Sequence, residues 1–282
     1  MRVMSFRWRD KEGYGVVADG GVIDASSAFA DRYPTLRAVI EADAMAEIEA
    51  WATGREADIA CEDVTYLPVI PDARKVLCIG INYLKTHPVD GEVKRPDFPT
   101  CFIKAPGALI GHEETLIKPK ASECYDYEGE LAFVIGRAGR HIGLDDAHRH
   151  IAGYTCLNDG SARDWQKHSV TAGKNFARAS SCGPWMVTAD EIPDPAALTL
   201  VTRINGVEVQ RSGTDLMMFD IPTIIAYLST ITPLSPGDII STGSPEGSGA
   251  KQTPPRFLEA GDVIEVELSA IGVLRNTVAD EE

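Results

Sequence analysis

Hydrophobic and polar residues alternate along much of this chain with the two-residue period of β-strands. The clearest case lies near the end of the chain, where Ile264, Val266 and Leu268 alternate with Glu265 and Glu267 and predict a half-exposed strand. Further short apolar runs, bounded by turn residues, extend from residue 75 onward. They predict a series of strands: KVLCIGINY, TCFIKAP, GELAFVIG, HIAGYTCLND, GPWMVTA, LTLVTRING and DIISTGS.

Helical spacing stands out in three segments. Residues 35–54, TLRAVIEADAMAEIEAWATG, predict one helix that stops at Gly54. LDDAHRHI predicts a short helix, and DIPTIIAYLSTI predicts a longer one with Asp220 as N-cap and Pro222 in its first turn. Few helices among many strands predict a mixed α/β, mainly β fold, in which a rolled or sandwiched sheet carries helices on its outside.

The first 70 residues predict a small separate α/β unit. YGVVADGGVIDAS indicates a β-hairpin around Asp19 and Gly20, and the helix predicted over residues 35–54 follows it. Pro68 and Pro71 mark a linker in YLPVIPDARKV. We therefore expect a small N-terminal domain over residues 1–70 and a larger domain over residues 71–282.

Composition and charge narrow the classes of function. The chain has 282 residues, of which 44% are hydrophobic and 24% charged, the profile of a globular protein. Its net charge of −15 argues against nucleic acid as a partner, because phosphate binding needs a basic surface. No apolar run approaches the length of a membrane span, and the start MRVMSFRWRDKEG is too charged for a secretory signal, so we expect a cytoplasmic protein without membrane contact.

The segment YDYEGELAFVIG, residues 125–136, places two glutamates at the start of a buried strand. Side chains alternate across a strand, so Glu128 and Glu130 face the same side and repel each other unless a shared proton, an arginine or a metal ion offsets the charge. A second polar cluster, CLNDGSARDWQ, supplies Asp159. Three carboxylates in one place would suit Mg²⁺ or Mn²⁺, whereas a solvated strand edge would need no ligand.

An ordered set of motifs resembles the fumarylacetoacetate hydrolase family over about residues 75–277. The motifs are NY…H…E, FIKAPGALIG, DYEGELAFVIG, AGYTCLNDGSARDWQ, GKNF, GPW, INGVEVQ and PGDIISTGSPEG. The resemblance implies a β-roll or sandwich with flanking helices, a homodimer, and one Mg²⁺ or Mn²⁺ in each subunit. It also implies that Glu128, Glu130 and Asp159 are the metal ligands.

The resemblance extends to residues that would contact the substrate. Lys104 matches a family position near the cation and is assigned a catalytic role in stabilising oxyanion charge. The positions that would contact the substrate are Arg163, Gln166, Lys174 and Ser244. Arg163 is also interpreted as the buried partner of a carboxylate. The implied reaction is metal-dependent hydrolysis of a C–C bond in a 2,4-dioxo acid, a small molecule such as an acylpyruvate, to a 2-oxo acid and a carboxylic acid.

The general base is where this sequence departs from the family pattern. Family hydrolases carry NYxxH with a glutamate three residues later, whereas this chain reads NYLKTHPVDGEVKRP. His87 lies five residues after Asn82 and Glu92 five after His87, with a proline and a glycine between them that disfavour a helical turn. His87 with Glu92 is the expected catalytic pair, and His112 in GHEE is the rival base.

A displaced base leaves other functions open. Decarboxylation of a 2-oxo acid such as oxaloacetate, or isomerisation of a dioxo acid, needs the cation but no activated water. A protein of another class, a non-catalytic structural protein that holds a metal, is the remaining alternative. Metal-dependent turnover would separate the enzymes from this last interpretation.

Overall fold

The computed structural model of this protein describes residues 1–83 and 95–282. Strands are the main elements of these residues, which confirms the predicted mixed, mainly β fold. The strands are β1 (Arg2–Trp8), β2 (Lys11–Ala18), β3 (Gly21–Ile23), β4 (Ile59–Ala60), β5 (Thr65–Tyr66), β6 (Val76–Ile79), β7 (Cys101–Lys104), β8 (Leu109–Ile110), β9 (Thr115–Lys118), β10 (Tyr125–Asp126), β11 (Gly129–Ile135), β12 (Ile151–Asn158), β13 (Ser161–Ala162), β14 (Ser180–Thr188), β15 (Thr199–Ile204), β16 (Val207–Gly213), β17 (Ile239–Ser241), β18 (Val263–Leu268) and β19 (Gly272–Asp280).

The helices are short. The α-helices are α1 (Ser26–Phe29), α2 (Leu36–Glu41), α3 (Met45–Ala52), α4 (Val170–Lys174) and α5 (Ile221–Ile231). A seven-residue 3₁₀ helix covers Leu144–His150, and three-residue 3₁₀ helices occupy Cys61–Asp63, Pro106–Ala108, Trp165–Lys167, Ala189–Glu191, Pro195–Ala197, Thr214–Leu216 and Gly249–Lys251. Among the described residues, no helix has the length and apolar character needed to cross a bilayer.

The strands form a large sheet, a smaller second sheet and a two-stranded ribbon. The large sheet has the order β4-β3-β2-β1-β14-β12-β11-β17-β6-β7, with β5 beside β1 and β8 beside β14. The second sheet has the order β16-β15-β18-β19-β9, and β10 pairs with β13 in the ribbon.

Strand β11 lies at the centre of the large sheet and is buried on both faces. Leu131 and Phe133 point into the core shared with the second sheet and α5. Ala132 and Val134 point into the opposite core, which contains apolar residues of α2 and α3. This confirms that the apolar end of the glutamate strand is covered on both sides, as its continuous hydrophobic run predicts.

The N-terminal strands join the same large sheet. β1 pairs antiparallel with β14, with Val3 opposite Met186. The predicted hairpin is confirmed, since β2 and β3 pair up to Ala18 and Gly21, and the two residues between them have positive φ as a tight hairpin turn requires. A domain boundary at residue 70 stays a prediction; the two parts share hydrogen-bonded strands.

Two helical predictions have different outcomes. The single helix predicted over residues 35–54 is wrong, because the chain forms α2 and α3 with Asp43 between them at φ +55°. Ala44 N donates to Val39 O and Asp43 N to Ile40 O, the Schellman pattern that ends a helix. The helix predicted after Asp220 is confirmed, and Asp220 accepts a hydrogen bond from Thr223 N at 2.9 Å.

Candidate active site

Three carboxylates from two neighbouring strands converge at one end of the large sheet. Glu128 directly precedes β11, Glu130 lies within it, and Asp159 directly follows β12. The two strands pair antiparallel with Gly129 opposite Asn158, so the start of one lies beside the end of the other. One carboxylate oxygen from each of the three acidic residues lies within 4.8 Å of the other two. The register of β11 and β12 therefore gathers the three predicted ligands.

The three acidic residues differ in their access to solvent. Glu130 and Asp159 are each 1% exposed, whereas the Glu128 side chain is 18% exposed. The Asp159 N–H donates to the Glu128 carbonyl at 2.9 Å, which fixes the two backbones together. A ligand would therefore approach this cluster from the Glu128 side.

Two buried lysines lie against the carboxylates. Lys174, at the C-terminal end of α4, donates to Glu128 and, at 2.7 Å, to Asp159 Oδ2. Lys104 is fully buried and donates to Ser180 Oγ at 2.8 Å, and its Nζ lies 2.6 Å from Asp159 Oδ1. These are the two lysines that the sequence associates with the site, and their positive charges offset part of the negative charge of the three carboxylates.

Arg163 is held between two carboxylates. Its Nη2 donates to Glu128 Oε1 at 2.8 Å and its Nε to Asp126 Oδ2 at 2.7 Å. Asp126 is fully buried and also accepts from the N–H groups of Gly249 and Ala250, at 2.7 and 3.1 Å. Arg163, 20% exposed, is therefore the partly buried partner of two carboxylates, and its contact with substrate stays a prediction.

Burial and neighbouring charges shift the pKa values of Glu128 and Glu130 in opposite directions. Burial alone would raise the pKa of Glu128, but Lys174 and Arg163 together lower this pKa to about 2. Burial, followed by the charges of Asp159 and Glu128, raises the pKa of Glu130 well above its usual range. The repulsion expected between the two glutamates therefore raises the pKa of Glu130. Among the described residues, no lysine or arginine forms a direct ion pair with Glu130.

The donor chemistry fits a hard divalent cation. All three converging groups are carboxylates, and oxygen donors are the ligands that Mg²⁺ and Mn²⁺ prefer. Asp159 Oδ1 is buried and has no hydrogen-bond partner within the described parts of the chain, and the Lys104 ammonium lies 2.6 Å from it as an ion pair. Glu128, Glu130 and Asp159 are therefore the residues that would hold the ion.

The other two residues predicted to contact the substrate are Gln166 and Ser244, and hydrogen bonds link each of them to residues of the site. Gln166 Oε1 accepts from Arg163 Nη1 at 3.3 Å. Ser244 Oγ accepts from Gln210 Nε2 at 2.9 Å, and Gln210 Oε1 accepts from Gly129 N at 3.0 Å. Both assignments as substrate contacts stay predictions, and these hydrogen bonds fix the two side chains relative to the strand that carries the glutamates.

His112 makes its contacts outside the cluster of three carboxylates. Its Nδ1 accepts from Arg275 N at 3.0 Å, and its ring packs edge-on against Tyr66 with centroids 4.7 Å apart. No described contact joins it to the three carboxylates, which argues against it as the base. His87 and Glu92 lie outside the described residues, so their pairing stays a prediction.

Three residues around the carboxylates were not identified from the sequence. Asp126 precedes Glu128 by two residues and so has the same strand parity, a signal that was present in DYEGE. Ser241 donates to Glu130, and it comes from β17, whose pairing with β11 no local pattern reveals. Gln210 reaches the site from the second sheet, and only the packing of the two sheets places it there.

The chain matches a known family over most of its length. Residues 75–279 match the family profile described as fumarylacetoacetate (FAA) hydrolase C-terminal. A Xenopus laevis protein described as oxaloacetate tautomerase fahd2, mitochondrial, is 34% identical and covers 99% of this chain and 90% of its own.

Two solved structures share the fold. The 5-carboxymethyl-2-hydroxymuconate delta-isomerase from Mycobacterium smegmatis is 30% identical with a TM-score of 0.78, and the match covers 100% of both chains. Maleylpyruvate hydrolase from Sphingobium sp. SYK-6, in complex with a manganese(II) ion and pyruvate, is 26% identical with a TM-score of 0.83, again over 100% of both chains. The likeness therefore extends beyond the family profile to the N-terminal strands.

Proposed function

Because the chain belongs to the fumarylacetoacetate hydrolase family, we propose that it is a divalent-cation-dependent enzyme that interconverts the keto and enol forms of a 2-oxo dicarboxylic acid such as oxaloacetate. One observation carries this proposal. Glu128, Glu130 and Asp159 converge beside a buried lysine, Lys174, whose Nζ lies 2.7 Å from Asp159 Oδ2. This arrangement combines ligands for a cation with a fixed positive charge, the two features that stabilise an enolate.

The described residues account for the electrostatic part of the reaction. A divalent cation held by the three carboxylates would supply Lewis-acid polarisation of a chelated 2-oxo acid. Lys174 keeps its proton, because Asp159 and Glu128 raise its pKa despite the opposing effect of burial. Its ammonium can therefore attract a substrate carboxylate and the negative charge that develops on the 2-oxygen. Lys104 adds a second positive charge behind Asp159.

Tautomerisation needs a group that accepts the proton from C3 and a group that donates a proton to the 2-oxygen, but no water as reactant. Hydrolysis needs in addition a base that activates water. Among the described side chains of the site, the carboxylates are already engaged by Lys174, Arg163 and the Ser241 hydroxyl. These engaged groups supply charges that stabilise an enolate, which both reactions share, and the tautomerase name of the Xenopus relative favours tautomerisation over hydrolysis.

Hydrolysis of an acylpyruvate is the second candidate. It is favoured by the full-length likeness to maleylpyruvate hydrolase, whose structure contains manganese and pyruvate. His87 is proposed as its general base. Decarboxylation of oxaloacetate would use the same carboxylates. Mg²⁺ and Mn²⁺ are both proposed as the cation, and a homodimer in the cytoplasm stays a proposal from the sequence.

The test compares three reactions of one protein sample. Enol oxaloacetate is followed by its ultraviolet absorbance, acylpyruvate cleavage by pyruvate release, and decarboxylation by CO₂ release. Each reaction is measured with EDTA, with Mg²⁺ and with Mn²⁺, and again with Glu128→Gln. We expect cation-dependent loss of the enol signal well above the uncatalysed rate, which the Glu128→Gln variant does not produce.

Each other outcome selects a different function. Fast pyruvate release from an acylpyruvate, without acceleration of tautomerisation, would replace the proposal by hydrolysis. Fast CO₂ release would replace it by decarboxylation. If no reaction exceeds its uncatalysed rate with either cation, the protein is not this enzyme and the non-catalytic interpretation applies.

A further inference from the structure

Gln210 connects the strand that carries the glutamates to the turn that carries Ser244. The side chain is 2% exposed and belongs to β16 in the second sheet. Its Oε1 accepts from Gly129 N at 3.0 Å. Its Nε2 donates to Ser244 Oγ and to Pro245 O, both at 2.9 Å. The amide therefore uses its acceptor and both of its donor hydrogens at this one place.

The sheet itself leaves the Gly129 N–H without a strand partner. The Glu128 carbonyl bonds to Asp159 on the β12 side, so the next N–H, that of Gly129, points to the opposite side. There β17 pairs with β11 only from Ala132 to Val134, and Thr242 N adds a bond to Leu131 O. A buried N–H needs an acceptor, and Gln210 supplies it from the other sheet.

The same amide determines how the Ser244 hydroxyl is used. Because Ser244 Oγ accepts from Gln210, its own hydrogen is available for donation. Its acceptor within the described structure is Pro245 O, at a long 3.4 Å. The preceding residue, Gly243, donates its N–H to Glu130 Oε2 at 3.1 Å, so this hydroxyl follows directly on a residue that contacts a carboxylate of the site.

We infer that Gln210 is a positioning residue that orients the Ser244 hydroxyl as a hydrogen-bond donor to a carboxylate of the bound 2-oxo acid. This inference rests on the proposed function. In this role Gln210 does not contact the substrate; it sets the direction of the Ser244 hydroxyl, on the turn whose Gly243 N–H contacts Glu130. Because Gln210 bonds to both Gly129 and Ser244, it links the residue that would bind the substrate carboxylate to the strand that carries the cation ligands.

The test replaces Gln210 by Glu, which has nearly the same size. A carboxylate accepts from Gly129 N as before, but it can only accept from Ser244, so the hydroxyl hydrogen turns away from the substrate. Binding of oxalate, a small dianion that resembles the enolate of a 2-oxo acid, is measured by calorimetry on the Mn²⁺-loaded protein. We expect at least about tenfold weaker oxalate binding, the usual effect of losing one hydrogen bond to a charged group.

Two comparisons separate positioning from general damage. If Gln210 acts through Ser244, the double variant Gln210→Glu/Ser244→Ala binds oxalate no more weakly than Gln210→Glu alone, whereas a simple charge effect would add to the loss. The KM for oxaloacetate should rise in parallel with the oxalate Kd, while kcat changes less. Gln252→Glu is the matched control, since Gln252 donates to Tyr127 Oη in a neighbouring loop. Gln210→Met gives an uncharged second variant if the Glu variant does not fold.

The outcomes are distinct. Additive losses in the double variant, or equal losses of Mn²⁺ and oxalate binding, would overturn the role of Gln210 and leave the proposed function intact. A wild-type protein that binds Mn²⁺ but no oxalate would overturn the proposed function, and this inference with it.

Discussion

Lys174 Nζ lies 2.7 Å from Asp159 Oδ2 and donates at the same time to Glu128. One ammonium group thus contacts two of the three carboxylates that would hold a cation, and Arg163 and Lys104 add positive charge at Glu128 and Asp159. A buried carboxylate without a positive partner is costly, so this pairing lets the acidic cluster form before an ion is bound. Lys174 and a bound cation would therefore compete for the same carboxylate oxygens of Glu128 and Asp159.

Replacing Lys174 by Met should therefore separate cation binding from catalysis. Mn²⁺ should bind at least as tightly as in the wild type, because a competing positive charge is gone. Turnover of the 2-oxo acid should fall at least about a hundredfold, because the group that attracts its negative charge is lost. Calorimetry with Mn²⁺ and the enol assay measure the two effects, with the exposed Lys167→Met as control. Weaker Mn²⁺ binding in Lys174→Met would contradict the account.

The same variant should be less stable when no cation is present. Removal of one partner from a buried ion pair costs about 3–5 kcal/mol, because the remaining charges are left uncompensated. Urea denaturation in EDTA should show this loss, and Mn²⁺ should restore more stability to Lys174→Met than to the wild type. An equal gain from Mn²⁺ in both proteins would count against the shared use of these oxygens.

Asp126 should matter for stability although it is not a proposed cation ligand. It is fully buried and binds Arg163 at 2.7 Å as well as two backbone N–H groups, so Asp126→Asn should cost about 1–3 kcal/mol of unfolding free energy. Asp146 and Arg149 provide a matched control, since they form an exposed pair at 3.0 Å, and Asp146→Asn should cost less than about 1 kcal/mol. Urea denaturation of both variants measures the difference, and similar losses would show that burial of the Asp126 pair is not the cause.

The two candidate bases should behave differently. If the protein hydrolyses acylpyruvates, His87→Ala should lower kcat about a hundredfold or more, the usual contribution of a general base. His112→Gln should leave kcat within about threefold, because His112 contacts Arg275 and Tyr66 rather than the carboxylates. The reverse ranking in the pyruvate-release assay would move the base to His112.

His112 should instead contribute to the pH dependence of stability. Burial lowers its pKa below the usual value of about 6.5, and of the charges facing it Glu113 opposes this shift while Arg275 reinforces it. A group with a lower pKa in the folded state binds more protons when unfolded, so its contribution is present above about pH 6.5 and is lost as pH falls. Urea denaturation at pH 7.5 and 5.5 should show a smaller decrease for His112→Gln than for the wild type. An equal decrease would contradict a lowered pKa of His112 in the folded protein.

Local sequence patterns predict turns and helix ends, because these depend on interactions between residues that are close in sequence. The turn at Asp19 and Gly20 and the N-cap Asp220 were both identified, because each depends on a few adjacent residues. The break at Asp43 was missed, since apolar spacing continues across it while the backbone adopts a left-handed conformation. The pairing of β1 with β14 joins residues far apart in sequence, and no local pattern encodes it.

The candidate site was predictable to a similar degree. Strand alternation placed Glu128 and Glu130 together, and the family resemblance added Asp159. The partners of these residues depend on register and sheet packing, so Ser241 and Gln210 were not identified. Sequence shows which groups can bind a cation, whereas the structure shows which groups compete with it.

The cluster of Glu128, Glu130 and Asp159 leads to one prediction: each chain binds one divalent cation. Its most direct test is the stoichiometry and affinity of Mn²⁺ measured by calorimetry on metal-free wild-type protein, Glu128→Gln and Asp159→Asn, with the exposed Glu208→Gln as control. We predict one Mn²⁺ per chain for the wild type and the control, and clearly weaker binding for the other two variants. Equal Mn²⁺ binding by all four proteins would contradict the account.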